Sequence, residues 1–150
     1  MTIIAATDFS ATAANAARNA VALARKLGDK VLLVTVVEPP LQYHHRKGAG
    51  EDAPAYDALL RESAQKLMDE AVAALRGEGI TVEGRVLIGA PVPALSALAT
   101  EEHARVLVMG AHDLGQVARV FFGSVSERTV LDAPCPVLVV PAGTSPFDGQ

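Results

Sequence analysis

A glycine- and serine-containing segment late in the chain has the residue types needed to hold a phosphate group. It runs from Gly110 to Gly123 and Ser124. Glycine at the end of a strand lets backbone N–H groups approach an anion closely. Ser124 is placed to cap a helix whose first amides and dipole favour phosphate. Spacing alone does not separate such a site from an ordinary turn followed by a capped helix, because both features are common in proteins.

A carboxylate is expected to lie close to this segment. Asp8 follows a short apolar segment, residues 2–7, and Gly110 follows another, residues 106–109. We expect these segments to be the first and fourth strands of a parallel sheet. Ligands of open parallel sheets bind beyond the carboxyl ends of the strands, where the strand order reverses. In the half-Rossmann order 3-2-1-4-5 this reversal lies between the first and fourth strands, so Asp8 and Gly110 should line one crevice.

Apolar strands and helical patterns alternate along the whole chain. Strands are predicted at residues 2–7, 31–37, 80–88, 106–109 and 137–140, with helices after Ser10, Pro54, Pro91 and Ser124. This alternation predicts a single α/β domain, a three-layer sandwich with helices on both faces of a five-stranded parallel sheet. Ser10 and Gly28 have the residue types that cap the first helix. Residues 41–54 are predicted to be a loop, and residues 143–150 a flexible tail after a domain of residues 1–142.

Composition and charge exclude several classes of function. The net charge is −4 and Trp is absent, so there is no electrostatic reason to bind nucleic acid or an anionic membrane. No apolar run approaches the roughly 20 residues of a membrane span, and the N-terminus has no basic region, so we expect a cytoplasmic protein. The single Cys135 excludes an intrachain disulfide and is interpreted as a small buried apolar residue. No Walker motif, no G-x-S-x-G elbow and no histidine ligand pattern occurs, so we expect no catalytic residue and no protein-ligated metal.

Four segments together resemble the universal stress protein family. They read AATDFS at residues 5–10, LVTVVEP at residues 33–39, GAP at residues 89–91, and VLVMGAHDLGQVARVFFGSVSERTVLDAPCPVLVVP at residues 106–140. The resemblance covers nearly the whole chain. It implies a half-Rossmann-like fold of the adenine nucleotide alpha-hydrolase-like type. It also implies a stress-response protein that binds ATP or AMP and acts by sensing or interaction, with at most slow ATP hydrolysis.

The resemblance further implies a set of nucleotide contacts. Members that bind ATP carry a glycine, two residues, a second glycine, nine residues, and then glycine with Ser or Thr. Gly110, Gly123 and Ser124 match this pattern, and Asp113 replaces the second glycine. The implied contacts with the base, the ribose and the phosphates are Ala6, Thr7, Asp8, Val36, Met109, Gly110, His112, Asp113, Gly123, Ser124, Val125 and Ser126.

The aspartate in the glycine motif has opposing consequences for ATP. Asp tolerates a positive φ better than most residues, so the turn can survive the replacement. A carboxylate about 6 Å from a phosphate charge costs roughly 3 kcal/mol at an effective dielectric near 20, about a hundredfold in affinity. A bound Mg²⁺ or Mn²⁺ would bridge the carboxylate and the phosphate and make their interaction favourable. Arg119 would offset part of the repulsion. The sequence leaves these outcomes open.

Two further functional classes compete with nucleotide binding. Family members without the glycine motif bind no ATP, so the chain is alternatively a pure interaction module. Its last strand, Val137, Leu138, Val139 and Val140, should lie at the sheet edge, where an exposed apolar strand is a pairing surface. The resemblance implies a homodimer formed there. The remaining class is a slow ATP hydrolase or a flavin-binding redox domain, which no positioned base or nucleophile supports.

Overall fold

The computed structural model describes residues 1–38, 49–111, 133–145 and 147, with side chains from residue 55 onward in the second range. Five strands and three helices lie in these ranges. In chain order they are β1 Thr2–Ala6, α1 Ala11–Leu27, β2 Lys30–Val37, α2 Ala49–Leu75, β3 Val82–Ile88, α3 Pro91–Glu101, β4 Ala104–Gly110 and β5 Val137–Val140. The helix predicted after Ser124 lies outside the described residues.

The five strands form one parallel sheet in the order β3-β2-β1-β4-β5. The predicted α/β class and strand order are therefore confirmed. The central strand β1 pairs with β2 on one side and β4 on the other. Successive strands are added outward from β1 to one side and then to the other. The reversal of strand order consequently lies between β1 and β4, where ligands of such sheets bind.

Apolar side chains pack on both faces of the sheet. One cluster joins α1 and α2 to strand residues such as Ile3 and Leu33. The second joins α3 to the alternate residues, such as Ile4 and Leu32. Successive residues of a strand point to opposite faces, so each strand contributes to both clusters.

No helix in the described ranges is long and apolar enough to span a membrane.

Both ends of α1 are capped as predicted. The Ser10 hydroxyl accepts a hydrogen bond from the amide of Ala13 at 3.1 Å. Gly28 ends the helix in the left-handed region at φ 73, which glycine adopts without steric cost. Side chains of alanine line the buried face, and Ala16 and Ala20 are fully buried. The helix can therefore lie close to the sheet.

The start of α2 differs from the sequence prediction. The helix begins at Ala49, so the loop predicted over residues 41–54 was wrong for residues 49–54. Pro54 favoured a loop, because a proline beyond the first turn of a helix lacks the N–H of one intrahelical hydrogen bond and its ring crowds the preceding turn. Farther along, α2 packs closely on β3, since a Cβ at Gly84 would lie 2.7 Å from Met68 Cγ. This packing stabilises α2 from its later turns.

A buried carboxylate ties together the amino ends of the strands. The Asp29 side chain is only 2% exposed. It accepts hydrogen bonds from the α-ammonium of Met1 at 2.9 Å and from the guanidinium of Arg105 at the start of β4. The bond from Arg105 is the main cause that lowers the pKa of Asp29, against the opposing effect of burial.

The two edges of the sheet carry different groups. At the β3 edge, Arg61 Nη1 donates a hydrogen bond to the carbonyl of Val86 at 3.1 Å, and Arg85 pairs with Glu102 at 3.1 Å. The Val86 carbonyl faces away from β2, because β2 bonds to the Thr81 carbonyl and the Gly89 amide, and the backbone groups of alternate residues in a strand point to opposite sides. At the other edge, the first three residues of β5 are half-buried valine and leucine.

Candidate functional site

A tightly bonded turn places Asp8 beyond the carboxyl end of β1. The amide of Phe9 donates to Thr7 Oγ1 at 3.0 Å, and the amide of Ser10 donates to Asp8 Oδ1 at 2.9 Å. Phe9 lies in the left-handed region at φ 66, which is unusual for a bulky residue. The Asp8 side chain is exposed at this turn. The turn is therefore held by local hydrogen bonds, one of which the Asp8 carboxylate accepts.

Three of the predicted nucleotide contacts lie on one face of the sheet. Ala6 and Val36, at the carboxyl ends of β1 and β2, pack against the apolar cluster on the α3 side. Met109 is 7% exposed and follows the buried Leu107 of that cluster by two residues in β4. Residues two apart in a strand point to the same face. The ends of three adjacent strands thus present apolar side chains on the same side, next to the turn that carries Asp8.

Gly110 is pressed against the first turn of α1. A Cβ added at this position would lie 2.9 Å from both the carbonyl oxygen and Cγ2 of Thr12. The next amide, of Ala111, donates to the carbonyl of Val140 at 2.9 Å. The fold therefore requires a glycine here for packing, whatever ligand is bound. It also brings the end of β4 to the helix that begins directly after the Asp8 turn, as the topology predicted.

Thr7 lies apart from these three apolar contacts. It lines a cavity of about 320 Å³ between α1 and α2, together with Phe9 and Leu33. Leu33 belongs to the apolar cluster on that face of the sheet. The Thr7 hydroxyl also accepts the amide of Phe9, so it helps to hold the turn. The structure thus gives Thr7 a local role in shaping the turn on the α1 side.

The remaining predicted contacts cannot be placed, because they lie outside the described residues. They are His112, Asp113, Gly123, Ser124, Val125 and Ser126. Within residues 1–38, 49–111 and 133–147, as far as these are described, no group of three or more His, Cys, Asp or Glu side chains is arranged to hold a metal ion. The described predicted contacts near this sheet edge are therefore the apolar side chains of Ala6, Val36 and Met109 and the exposed carboxylate of Asp8.

Sequence reasoning missed two polar residues that contact the same region. Asn15 and Asn19 lie on the buried face of α1, and Asn19 is fully buried. Both donate to the backbone of the segment that follows β5. The signal was available in the sequence: two asparagines four residues apart interrupt a buried face made mainly of alanine. Buried amides need hydrogen-bond partners, so such a pair predicts a polar contact with another segment.

Comparison with known proteins establishes the relationship that the four segments suggested. The sequence model described as the universal stress protein family matches residues 1–141. The chain belongs to this family. A universal stress protein encoded in the 3′ region of a QAH/OAS sulfhydrylase in Thermus aquaticus is 38% identical over 143 residues, which cover 93% of this chain and 97% of the relative.

Two solved universal stress proteins contain adenine nucleotides and share the fold. One is a complex with cAMP, 27% identical, with a TM-score of 0.69 over 93% of this chain and 96% of that one. The other, from Archaeoglobus fulgidus, is a complex with dAMP, 26% identical, with a TM-score of 0.67 over 93% and 97%. The fold seen here is thus shared with universal stress proteins solved in complex with adenine nucleotides.

Proposed function

We propose that this universal stress protein binds an adenine nucleotide at the carboxyl ends of β1, β2 and β4. The observation that carries the proposal is the shared face of Ala6, Val36 and Met109, next to the Asp8 turn. Ala6 and Val36 are half-buried and so keep surface that a ligand can cover. A flat base packed against them removes apolar surface from water, which contributes about 25 cal/mol for each Å².

The position of Asp8 sets the direction in which the nucleotide lies. Its exposed carboxylate accepts hydrogen bonds from the ribose hydroxyls, and bonds to a charged acceptor are stronger than neutral ones. The same negative charge repels phosphate. The ribose therefore lies at the end of β1, and the phosphates extend toward Gly110 and the residues after it. Relatives with cAMP and dAMP support an adenine base and a phosphate as the shared features of the ligand.

A pair of neighbouring β2 variants tests the position of the base. Val36 and Val37 are adjacent, but Val37 packs into the cluster on the α1 and α2 side. Val36→Ser should weaken AMP binding about tenfold, or about 1.4 kcal/mol, because it removes apolar contact with the base. Val37→Ser is the matched control and should leave the affinity unchanged. Both are measured by titration calorimetry, together with mass spectrometry of nucleotide released from the denatured wild type.

Two results would overturn the site. One is an equal loss of affinity in both variants, which would mean that β2 is damaged as a whole. The other is a wild-type protein that releases no nucleotide and shows no calorimetric response to AMP or Mg-ATP.

ATP with Mg²⁺ or Mn²⁺ as the ligand is the finer form of the proposal. Asp113→Gly should raise the affinity for ATP measured without metal, since it removes the carboxylate from the glycine motif.

A second candidate function is supported by the position of β5 at the edge of the sheet. In β5 the even-numbered residues bond to β4, as the bonds of Pro136 and Val140 carbonyls show, so the backbone of Val139 faces outward. A homodimer formed through Val137, Leu138, Val139 and Val140 would cover this half-buried apolar edge without any ligand. Val139→Pro removes an outward N–H and should give a monomer by sedimentation, whereas Val139→Thr should not. A monomeric wild type would exclude this function.

A further inference from the structure

Two asparagines of α1 hold the chain that follows β5. The side-chain amide of Asn15 donates to the carbonyl of Thr144 at 2.9 Å and to that of Pro141 at 3.4 Å. The side-chain amide of Asn19 donates to the same Thr144 carbonyl at 2.9 Å and to the carbonyl of Asn15 at 2.9 Å. The segment is also closed on itself, because the Thr144 amide and hydroxyl both donate to Pro141. Residues 141–144, hereafter the C-terminal turn, are thus fastened to the helix.

The orientation of these side chains is fixed by their partners. Both contacts of Asn19 Nδ2 are carbonyl oxygens, so a rotated amide would place oxygen against oxygen. Asn19 is fully buried, and among the described residues its Oδ1 has no hydrogen-bond partner. Burying an amide whose oxygen has no hydrogen-bond partner costs free energy, relative to burying an apolar side chain of similar size. The contribution of Asn19 therefore lies in its donor, which is used on the C-terminal turn and on Asn15.

The same face of α1 contacts the end of β4. Thr12, Asn15 and Asn19 are spaced by three and four residues, so they lie along one side of the helix. Gly110 is in contact with Thr12, while the two asparagines hold the C-terminal turn. The end of β5 links the end of β4 to the C-terminal turn, because the Val140 carbonyl accepts a hydrogen bond from the Ala111 amide. One helix face thus fixes both the exit of the chain from β4 and the segment after β5.

We propose that Asn15 and Asn19 are positioning residues for the nucleotide site. By holding the C-terminal turn they fix the end of β5, and β5 in turn fixes the direction in which the chain leaves the sheet at Gly110 and Ala111. The ligand in this proposal rests on the proposed function above. The positioning itself does not, since the hydrogen bond of the Ala111 amide reports on it without any ligand.

Hydrogen exchange at the Ala111 amide measures this positioning directly. Two changes release the C-terminal turn: Asn15→Ala, and a chain that ends after Ala142. Gln65→Ala is the matched control, because it removes an exposed amide side chain that bonds to a residue four positions away on α2. We expect the Ala111 amide to exchange at least tenfold faster in the first two proteins, with exchange of the Ile4 amide in β1 unchanged. In the control, both amides should exchange as in the wild type.

Unchanged exchange at Ala111 in both altered proteins would overturn the proposal. So would equal acceleration at Ala111 and Ile4, because that would show a general loss of stability and no local role. For the nucleotide site, AMP affinity should fall about tenfold in both altered proteins and stay constant in the control. Faster exchange at Ala111 with unchanged AMP affinity would overturn the link to the site. A wild type that binds no AMP would instead defeat the proposed function, and exchange at Ala111 would then decide the positioning alone.

Discussion

Replacing Gly110 by alanine would test how closely β4 approaches α1. The added Cβ would lie 2.9 Å from the carbonyl oxygen of Thr12 and 2.9 Å from its Cγ2. The methyl group of Thr12 can rotate away, but the oxygen belongs to the helix backbone. To restore an ordinary contact of 3.4 Å, the first turn of α1 or the end of β4 must move by about 0.5 Å. Either movement disturbs the strand end where we place the nucleotide.

The expected cost follows from overpacking in a rigid environment. Inserting a methyl group into a well-packed region costs about 1–3 kcal/mol. Alanine also lowers the conformational entropy of the unfolded chain, which offsets about 0.4–1 kcal/mol of this cost. Gly110→Ala should therefore be less stable than the wild type by roughly 1–2 kcal/mol, which lowers Tm by about 2–8 °C in a chain of this length.

Gly77→Ala is an informative control, because its contact is shorter but is made with the end of a flexible side chain. A Cβ at Gly77 would lie 2.7 Å from Nη2 of Arg25. Arg25 is exposed, and its guanidinium can swing into water at the loss of one hydrogen bond, to the carbonyl of Glu78 at 3.2 Å. Gly77→Ala should stay within about 0.5 kcal/mol of the wild type, as surface changes usually do.

Urea unfolding followed by circular dichroism distinguishes the two variants. The order of the contact distances alone would make Gly77→Ala the more damaging change, whereas the identity of the opposing atoms predicts the reverse. A wild-type midpoint for Gly110→Ala would mean that the end of β4 has room for a methyl group. A larger loss for Gly77→Ala would mean that the contact distance, and not the identity of the opposing atom, decides the cost.

Two further predictions concern ionisable groups. Asp29→Asn should destabilise the protein at neutral pH, because it removes the charge that pairs with Arg105. The pKa of Asp29 is lowered in the folded state, so its contribution is complete above about pH 4, the usual unfolded pKa, and is lost as the pH falls through the lowered value. Urea midpoints should consequently fall more steeply below pH 4 in the wild type than in the variant, and parallel curves would contradict this. Burial raises the pKa of Cys135, so its alkylation by iodoacetamide at pH 8 should be slower in the folded protein than in urea; equal rates would show an accessible thiol.

The architecture was predictable because local and long-range signals agree. Apolar strands alternate with helices, Ser10 and Gly28 bound α1, and the right-handed crossover rule leaves few possible sheets. The expected position of the candidate site followed from the strand order alone. Val36 and Met109 are nucleotide contacts implied by the family resemblance, and in the structure they lie at the ends of β2 and β4, on the two sides of β1 and on one face of the sheet.

Three features of the structure were not predicted from the sequence. The early start of α2 was hidden by Pro54, a local signal outweighed by the packing of the later turns on β3. The left-handed conformation of Phe9 arises from hydrogen bonds at its neighbours Thr7 and Asp8. The asparagines of α1 acquire their partners only when the segment after β5 returns to the helix, more than 120 residues farther along the chain. Helical periodicity contains no information about that return.

The unequal edges of the sheet limit how copies of this protein can associate through their strands. An approaching strand at β3 would meet a guanidinium already bonded to an outward carbonyl, and a charged pair beside it. Such groups discourage edge-to-edge pairing, whereas β5 has none of them among its four residues. In the homodimer proposed above, each molecule would use its β5 edge alone for strand addition. Two copies joined at β5 would then leave only β3 edges outward, so the sheet would close as a pair and would not grow into a filament.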